Sequence, residues 1–293
     1  MGIFTSAKFH ARTIKRDILN EPLNRGHRLR LLKNYFIWQL FEKRHKSKII
    51  TLHNGYKSIV KPVPDNDAGE IGIWTLNMDH VDTQFIRTFL VKGDQIVDAG
   101  CNVGNRTLAL ADLLSGALLI DAGRNAVERT RENLELNSLD LTKFVVLHKA
   151  VGEHEGVIRF TDFGGASTQN KVIDDGDLSV GGNVVEVSMT TIDKEVAALG
   201  IRPAFIKTDV EGHDLSALKG AIQTLKSGSV KIVKFEHIST DPLEPILSFF
   251  GELGWKVFSL DAEGKPSFEH SKIHHELNLF AVPDVLFHER FGK

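Results

Sequence analysis

From residue 94 onward, short apolar runs alternate with longer stretches whose apolar residues recur every three or four positions. The short runs are residues 96–97, 117–120, 144–147, 204–206 and 230–235, and they predict strands. Between them, residues 107–114, 126–137 and 191–199, and the series Leu215, Leu218, Ile222, Leu225, carry the helical period. Pro242 opens a further helix with Leu243, Ile246, Leu247 and Phe250, and residues 255–260 and 277–282 pair as a terminal antiparallel hairpin. Alternation of this kind predicts an α/β fold, a doubly wound parallel sheet with helices on both faces and right-handed crossovers.

Before this unit the pattern differs. Residues 28–46 place Leu29, Leu32, Phe36, Leu40 and Leu31, Tyr35, Trp38 at helical spacing. Residues 49–52 and 58–60 flank Asn54-Gly55, a hairpin pair. Residues 81–90 read as a helix. The organisation expected is an N-terminal helical and β appendage over residues 1–75 and a main domain over 76–293. Within the main domain, residues 162–183 are rich in Gly and Asp, a composition that forbids a core, and they are read as a loop over the site.

Composition narrows the partners. The 293 residues are 42% hydrophobic and 25% charged, as in an ordinary globular protein, and a net charge of -2 gives no global drive toward nucleic acid. The single cysteine, Cys101, excludes an intrachain disulfide and suits a reducing, cytoplasmic setting. No apolar run approaches the roughly 18 residues of a membrane span. The bland net charge hides a segregation: residues 1–48 hold twelve Lys and Arg against three Asp and Glu. The expectation is a helix packed on the main domain with a solvated basic back. The same features suit a peripheral membrane contact or a lipid-linked substrate. A homo-oligomer is equally open.

Ligands of an open α/β sheet sit beyond the carboxyl ends of its strands. Those ends carry Asp98, Asp121, Lys149-Ala150, Asp209 with Glu211, and Glu236 with His237. After Asp98 the chain reads Gly100-Cys101-Asn102-Val103-Gly104, a glycine-spaced turn feeding a helix. Asp121 lies where an acidic residue can accept both ribose hydroxyls of a nucleotide cofactor. The G-x-N-x-G spacing differs from the dinucleotide fingerprint. An aspartate beside the turn would repel a pyrophosphate and attract a cation. This favours S-adenosylmethionine, with its ammonium and sulfonium, over a nicotinamide dinucleotide.

These residues resemble the FkbM family of S-adenosylmethionine-dependent methyltransferases. Asp98, Gly100, Asn102, Gly104 and Thr107 match its first motif, with Cys101 where alanine is usual. Asp121-Ala122 stands where the family has glutamate and proline. Asn133 and Asn137 match N-x-x-x-N, and Thr191-Ile192-Asp193 resembles T-L-D. Lys207, Asp209, Glu211, Gly212, Leu218 and Gly220 match the late motif, with Asp214 in place of a second glutamate and His213 where alanine is frequent. The resemblance spans residues 70–240 and implies a class I methyltransferase, Rossmann-like fold. It implies methyl transfer to a hydroxyl of a small molecule, a glycan or a secondary metabolite.

The cofactor contacts expected are Asp98, Gly100, Asn102, Gly104, Thr107, Asp121, Lys149, Ala150 and Asp209. An alcohol is a poor nucleophile, so a base or a metal should help remove its proton. Asp209, Glu211, His213, Glu236 and His237 are the candidates. The carboxylate count suits Mg²⁺. Asp209 and Glu211 face opposite sides if the strand stays extended, and share the cleft if Gly212 turns the chain. Their structural alternative is to cap the helix near Asp214. Glu269, His270, His274, His275 and Glu276 are read as a solvated group in the terminal hairpin. A non-catalytic binding protein on the same fold is the alternative of another class.

Overall fold

The computed structural model describes residues 10–20, 24–42, 47–61, 73, 80–162, 183–237, 242–261, 263–269, 273 and 276–292. A π-helical turn Ile14–Leu19 precedes helix α1 (Arg28–Glu42), then the strands β1 (Lys48–Thr51) and β2 (Lys57–Val60) and helix α2 (His80–Arg87). The main unit runs β3 (Asp94–Ala99), α3 (Asn105–Leu110), β4 (Leu114–Asp121), α4 (Arg124–Leu136), β5 (Phe144–His148), β6 (Ala150–Val151), β7 (Gly156–Asp162) and β8 (Asn183–Thr190). It continues with α5 (Ile192–Leu199), β9 (Pro203–Thr208), α6 (Asp214–Lys219), α7 (Ile222–Lys226) and β10 (Ile232–Glu236). The last part is α8 (Glu244–Glu252), β11 (Trp255–Leu260), β12 (Pro266–Ser267), β13 (Asn278–Pro283) and α9 (Asp284–Phe291).

The eight-stranded sheet has the order β12-β11-β13-β10-β9-β3-β4-β5. From β10 to β5 the pairings are parallel, and β13 and β11 are antiparallel, as the expected terminal hairpin required. Successive residues point to opposite faces. Val97, Leu118, Ile206 and Val233 enter one core with Leu218, Leu225 and Phe250. Ile96, Leu119, Phe205 and Ile232 enter the other with Ile86, Leu108, Val127 and Phe287. Strands buried on both faces read as continuous apolar runs, which is why the short runs were legible.

Four features differ from the sequence reading. The helical series from Leu215 to Leu225 is two helices, broken at Gly220. A Cβ on Gly220 would lie 2.1 Å from the carbonyl oxygen of Gly152, so a close backbone contact sets the break. The strands β6, β7 and β8 form a separate three-stranded sheet, order β6-β8-β7. The strand β12 and the closing helix α9 were not foreseen. The α9 pattern is short, and only Phe287 of it is buried. The Gly- and Asp-rich stretch 163–182 and the boundary at residues 74–79 lie outside the described residues.

The N-terminal hairpin docks on α4 through side-chain amides that imitate a neighbouring strand. Asn137 accepts from the N–H of Lys57 at 2.7 Å and donates to its carbonyl at 2.7 Å. Asn133 accepts from the N–H of Ile59 at 2.8 Å. Leu31, Tyr35 and Trp38 of α1 are buried with Ile18, Ile50, Val60 and Ile73, so α1 packs by that edge.

Candidate active site

The two motifs meet backbone to backbone. β3 and β9 are paired, and the N–H of Asp209 donates to Ala99 at 3.1 Å. Gly100 is left-handed (φ +72°), and a Cβ there would lie 1.8 Å from the carbonyl oxygen of Asp209. Only glycine permits this approach. Under the contact lies Lys207, 6% exposed, donating to the Gly100 carbonyl at 2.7 Å. Its ammonium stands 3.4 Å from Asp98 and 3.3 Å from Asp209. Burial opposes the charge on Lys207, but Asp209 and Asp98 outweigh it and raise its pKa.

Asp98 is fully buried and accepts from Thr107, also fully buried, at 2.7 Å. Both were expected to touch the cofactor. With no accessible surface, they anchor the loop from behind. Asn102 is left-handed (φ 47°) and its side-chain oxygen is buried without a partner. Its carbonyl accepts from Thr130 at 2.6 Å, and Thr130 packs against left-handed Gly104. Asn133 donates to the Val103 carbonyl at 2.8 Å, so one residue holds the glycine loop and the N-terminal hairpin together.

Asp121 stands at the end of β4, half-buried, its two oxygens accepting from the N–H groups of Asn102 and Gly123 at 2.8 Å each. Burial raises its pKa against those hydrogen bonds. Lys149 lies between β5 and β6, and Ala150 opens β6. The Lys149 ammonium is taken by Glu195 at 2.7 Å, and Ala150 is buried in β6 with Phe160 and Val187. The Lys149 side chain stays partly exposed beside Glu195, and Ala150 belongs to the smaller sheet.

The opposite wall is a turn. β9 ends at Thr208, and Glu211 (φ 52°) and Gly212 (φ 90°) are both left-handed. Asp214, 3% exposed, accepts from the N–H groups of Val210 and Glu236 at 3.3 Å each, tying the turn to the end of β10. This brings carboxylate oxygens of Asp209, Glu211 and Glu236 within 4.8 Å of one another. The turned alternative therefore holds, and no side chain caps the start of α6. Burial, then Asp209 and Asp214, push Glu211 up to about 7. Burial, then Asp209, Glu211 and Asp214, push Glu236 up to about 8. Burial also works against ionising Asp209, but Lys207 and Lys234 hold its carboxyl below the usual range.

His213 is half-buried at the start of α6, and no side-chain capping bond forms there. His237 is 5% exposed, with its backbone N–H on the Leu277 carbonyl at 2.8 Å. Lys234 escaped the sequence reading, although a lysine inside an apolar strand marks a buried charge. It is 2% exposed and donates to Asn278 at 2.8 Å, which donates to Asp82 at 3.0 Å. Thr191 and Asp193 are structural. Thr191 caps α5, and Asp193 accepts from the N–H groups of Gln223 and Thr224 at 2.8 and 2.7 Å.

The family model for the methyltransferase FkbM domain matches residues 98–257, a stretch that contains every wall just described. The chain belongs to the FkbM methyltransferase family. Ribosomal protein L11 methyltransferase of Thermotoga neapolitana is 38% identical over 74 residues, 25% of this chain and 27% of that protein. The chain thus spans about a quarter of the length of the curated relatives it matches. Among solved structures, the methyltransferase FkbM from Methylobacillus flagellatus KT aligns with a TM-score of 0.43 and 18% identity, covering 64% of this chain and 43% of that one. An rRNA methylase from Streptococcus thermophilus aligns at 0.41 and 10%, covering 69% and 92%. TrmK of M. capricolum, in complex with S-adenosyl-homocysteine, aligns at 0.37 and 7%, covering 69% and 66%.

Proposed function

We propose that the chain is an S-adenosylmethionine-dependent O-methyltransferase acting on a hydroxyl of a small molecule or glycan. The observation that carries this reading is the gathering of Glu211 and Glu236 beside Asp209, against the backbone of Gly100. The residues present fit the cofactor. Asn102 offers a buried oxygen without a partner, Asp121 a carboxylate already oriented by two N–H groups, and Asp209 an ionised carboxylate. When bound, the cofactor supplies an electrophilic methyl group.

The chain's own residues handle the proton. A carboxylate whose pKa lies near neutrality is ionised often enough to accept a proton and basic enough to hold it. Glu211 and Glu236 meet that condition, at about 7 and about 8. One of them, as a carboxylate, would take the acceptor hydroxyl's proton as the methyl group passes from sulfur to that oxygen, and would be left a neutral carboxyl. Asp209, kept ionised by Lys207 and Lys234, favours a cationic ligand on the same edge. His213 and His237 are the remaining proton-accepting candidates, His237 being the more enclosed.

Mg²⁺ is the second reading, since the three carboxylates are the hard oxygen donors it takes. Against it, Asp209 is ion-paired to Lys207, and burial favours the protonated forms of the other two. Calorimetry with S-adenosylhomocysteine tests the main reading. No heat of binding from folded protein would sink it. Methyl transfer to a panel of hydroxylated acceptors then tests the reaction, and its survival in EDTA would remove the metal.

A further inference from the structure

Helix α1 is apolar on two opposite sides. One side, Leu31, Tyr35 and Trp38, is at most 2% exposed. Leu29, Phe36 and Leu40 are 85%, 57% and 60% exposed. At about 100° per residue these three fall within roughly 40° of one another, nearly opposite the buried side, along about 16 Å of helix. Single exposed apolar residues need no explanation, but an aligned row is a surface that prefers to leave water. Arg30 and Lys33 are exposed beside it, and residues 1–48 carry a surplus of nine positive charges in a chain whose net charge is -2.

We propose that this face of α1 lies on an anionic lipid surface, with Leu29, Phe36 and Leu40 entering the headgroup boundary and Arg30 and Lys33 pairing with phosphate or carboxylate headgroups. An apolar row flanked by long cationic side chains is the arrangement that interfacial helices use, since the stems reach along the apolar layer and the charges stay in water. A second copy of the chain is disfavoured, because a two-fold contact on this face would set Arg30 and Lys33 against themselves. The inference does not rest on the methyl-transfer reading. It would place the enzyme beside acceptors that reside at a membrane.

The test is co-sedimentation of the full chain with vesicles of phosphatidylcholine alone, or of phosphatidylcholine mixed with phosphatidylserine. Wild type should pellet with the mixed vesicles and stay in solution with the neutral ones. The double variant Arg30→Gln/Lys33→Gln should partition roughly 25-fold less, at about fivefold per basic side chain. The triple variant Leu29→Gln/Phe36→Gln/Leu40→Gln should lose sedimentation while keeping the wild-type circular dichroism, glutamine being a good helix former. Wild type that ignores both vesicles, or a triple variant that pellets like wild type, overturns the proposal. So does a concentration-dependent dimer that only the triple variant loses, which would assign the face to a second copy.

Discussion

Replacing Gly100 with alanine tests whether the two motifs meet as described. Two effects add. A left-handed alanine costs roughly 1–2 kcal/mol. The new Cβ would sit 1.8 Å from the Asp209 carbonyl oxygen, against an ordinary contact of about 3.4 Å, so the loop or the turn must retreat by about 1.6 Å. Overpacking of that kind costs about 1–3 kcal/mol. The sum, roughly 2–5 kcal/mol, corresponds to a melting shift on the order of 10 °C for a chain of this size. Gly93→Ala is the control. Its φ is +99° and its Cβ would meet nothing within 4 Å, so it isolates the backbone effect. Thermal unfolding and calorimetry with S-adenosylhomocysteine should show Gly100→Ala destabilised beyond Gly93→Ala. Its affinity should fall at least fivefold, the loss of about one hydrogen bond. If the two variants melt together and bind alike, Gly100 and Asp209 are not in contact and the meeting of the two motifs is refuted.

Three further outcomes follow from the same geometry. Glu211→Gln should lower the pKa of Glu236 by removing a neighbouring negative charge, and so move the rise of methyl-transfer rate with pH to lower pH. In the wild type the rate should climb through about pH 7 to 8. Both carboxyls titrate higher in the folded state than at their ordinary 4.5. The protonated native form is therefore favoured, stability falls as pH rises from there through about 8, and Glu236→Gln should flatten that fall in pH-dependent melting. Lys207→Met leaves fully buried Asp98 uncompensated, with half-buried Asp209 beside it, and should cost roughly 3–5 kcal/mol in denaturant unfolding. Asn133→Ala should cost roughly 2–4 kcal/mol, with faster amide exchange at Ile59, because the Ile59 N–H and the Val103 carbonyl both lose their partner.

The parts of this site that could be read from sequence are those where residue type itself carries the geometry. Gly100, Asn102 and Gly104 announce a backbone that turns left-handed. Continuous apolar runs announce strands covered on both faces, so their ends locate the edge where Asp121, Asp209 and Glu236 gather. What stayed hidden depends on contacts far apart in the chain. Asp98 is legible in its motif, but its enclosure by Lys207 and Thr107 is not. Lys149 is legible near a strand end, but its pairing with Glu195, 46 positions later, is not. The break between α6 and α7 needs Gly152 to be in place, and no local propensity encodes it. The two asparagines of α4 were visible as a motif, but only the docked hairpin shows what they hold.

The insert between β5 and β9 leaves the main sheet and returns without touching the registers that form the site. β7 and β8 pair from Gly156 and Met189 out to Asp162 and Asn183. Asp162 and Asn183 are thus held about one strand spacing apart, near 5 Å. Closing a stretch between ends already joined depends weakly on its length, about 0.6 kcal/mol per doubling. That stretch can therefore be lengthened, shortened or exchanged while Gly100 still meets Asp209. Variation there is thermodynamically cheap, so related chains can diversify at this position while the edge where Gly100 meets Asp209 stays fixed.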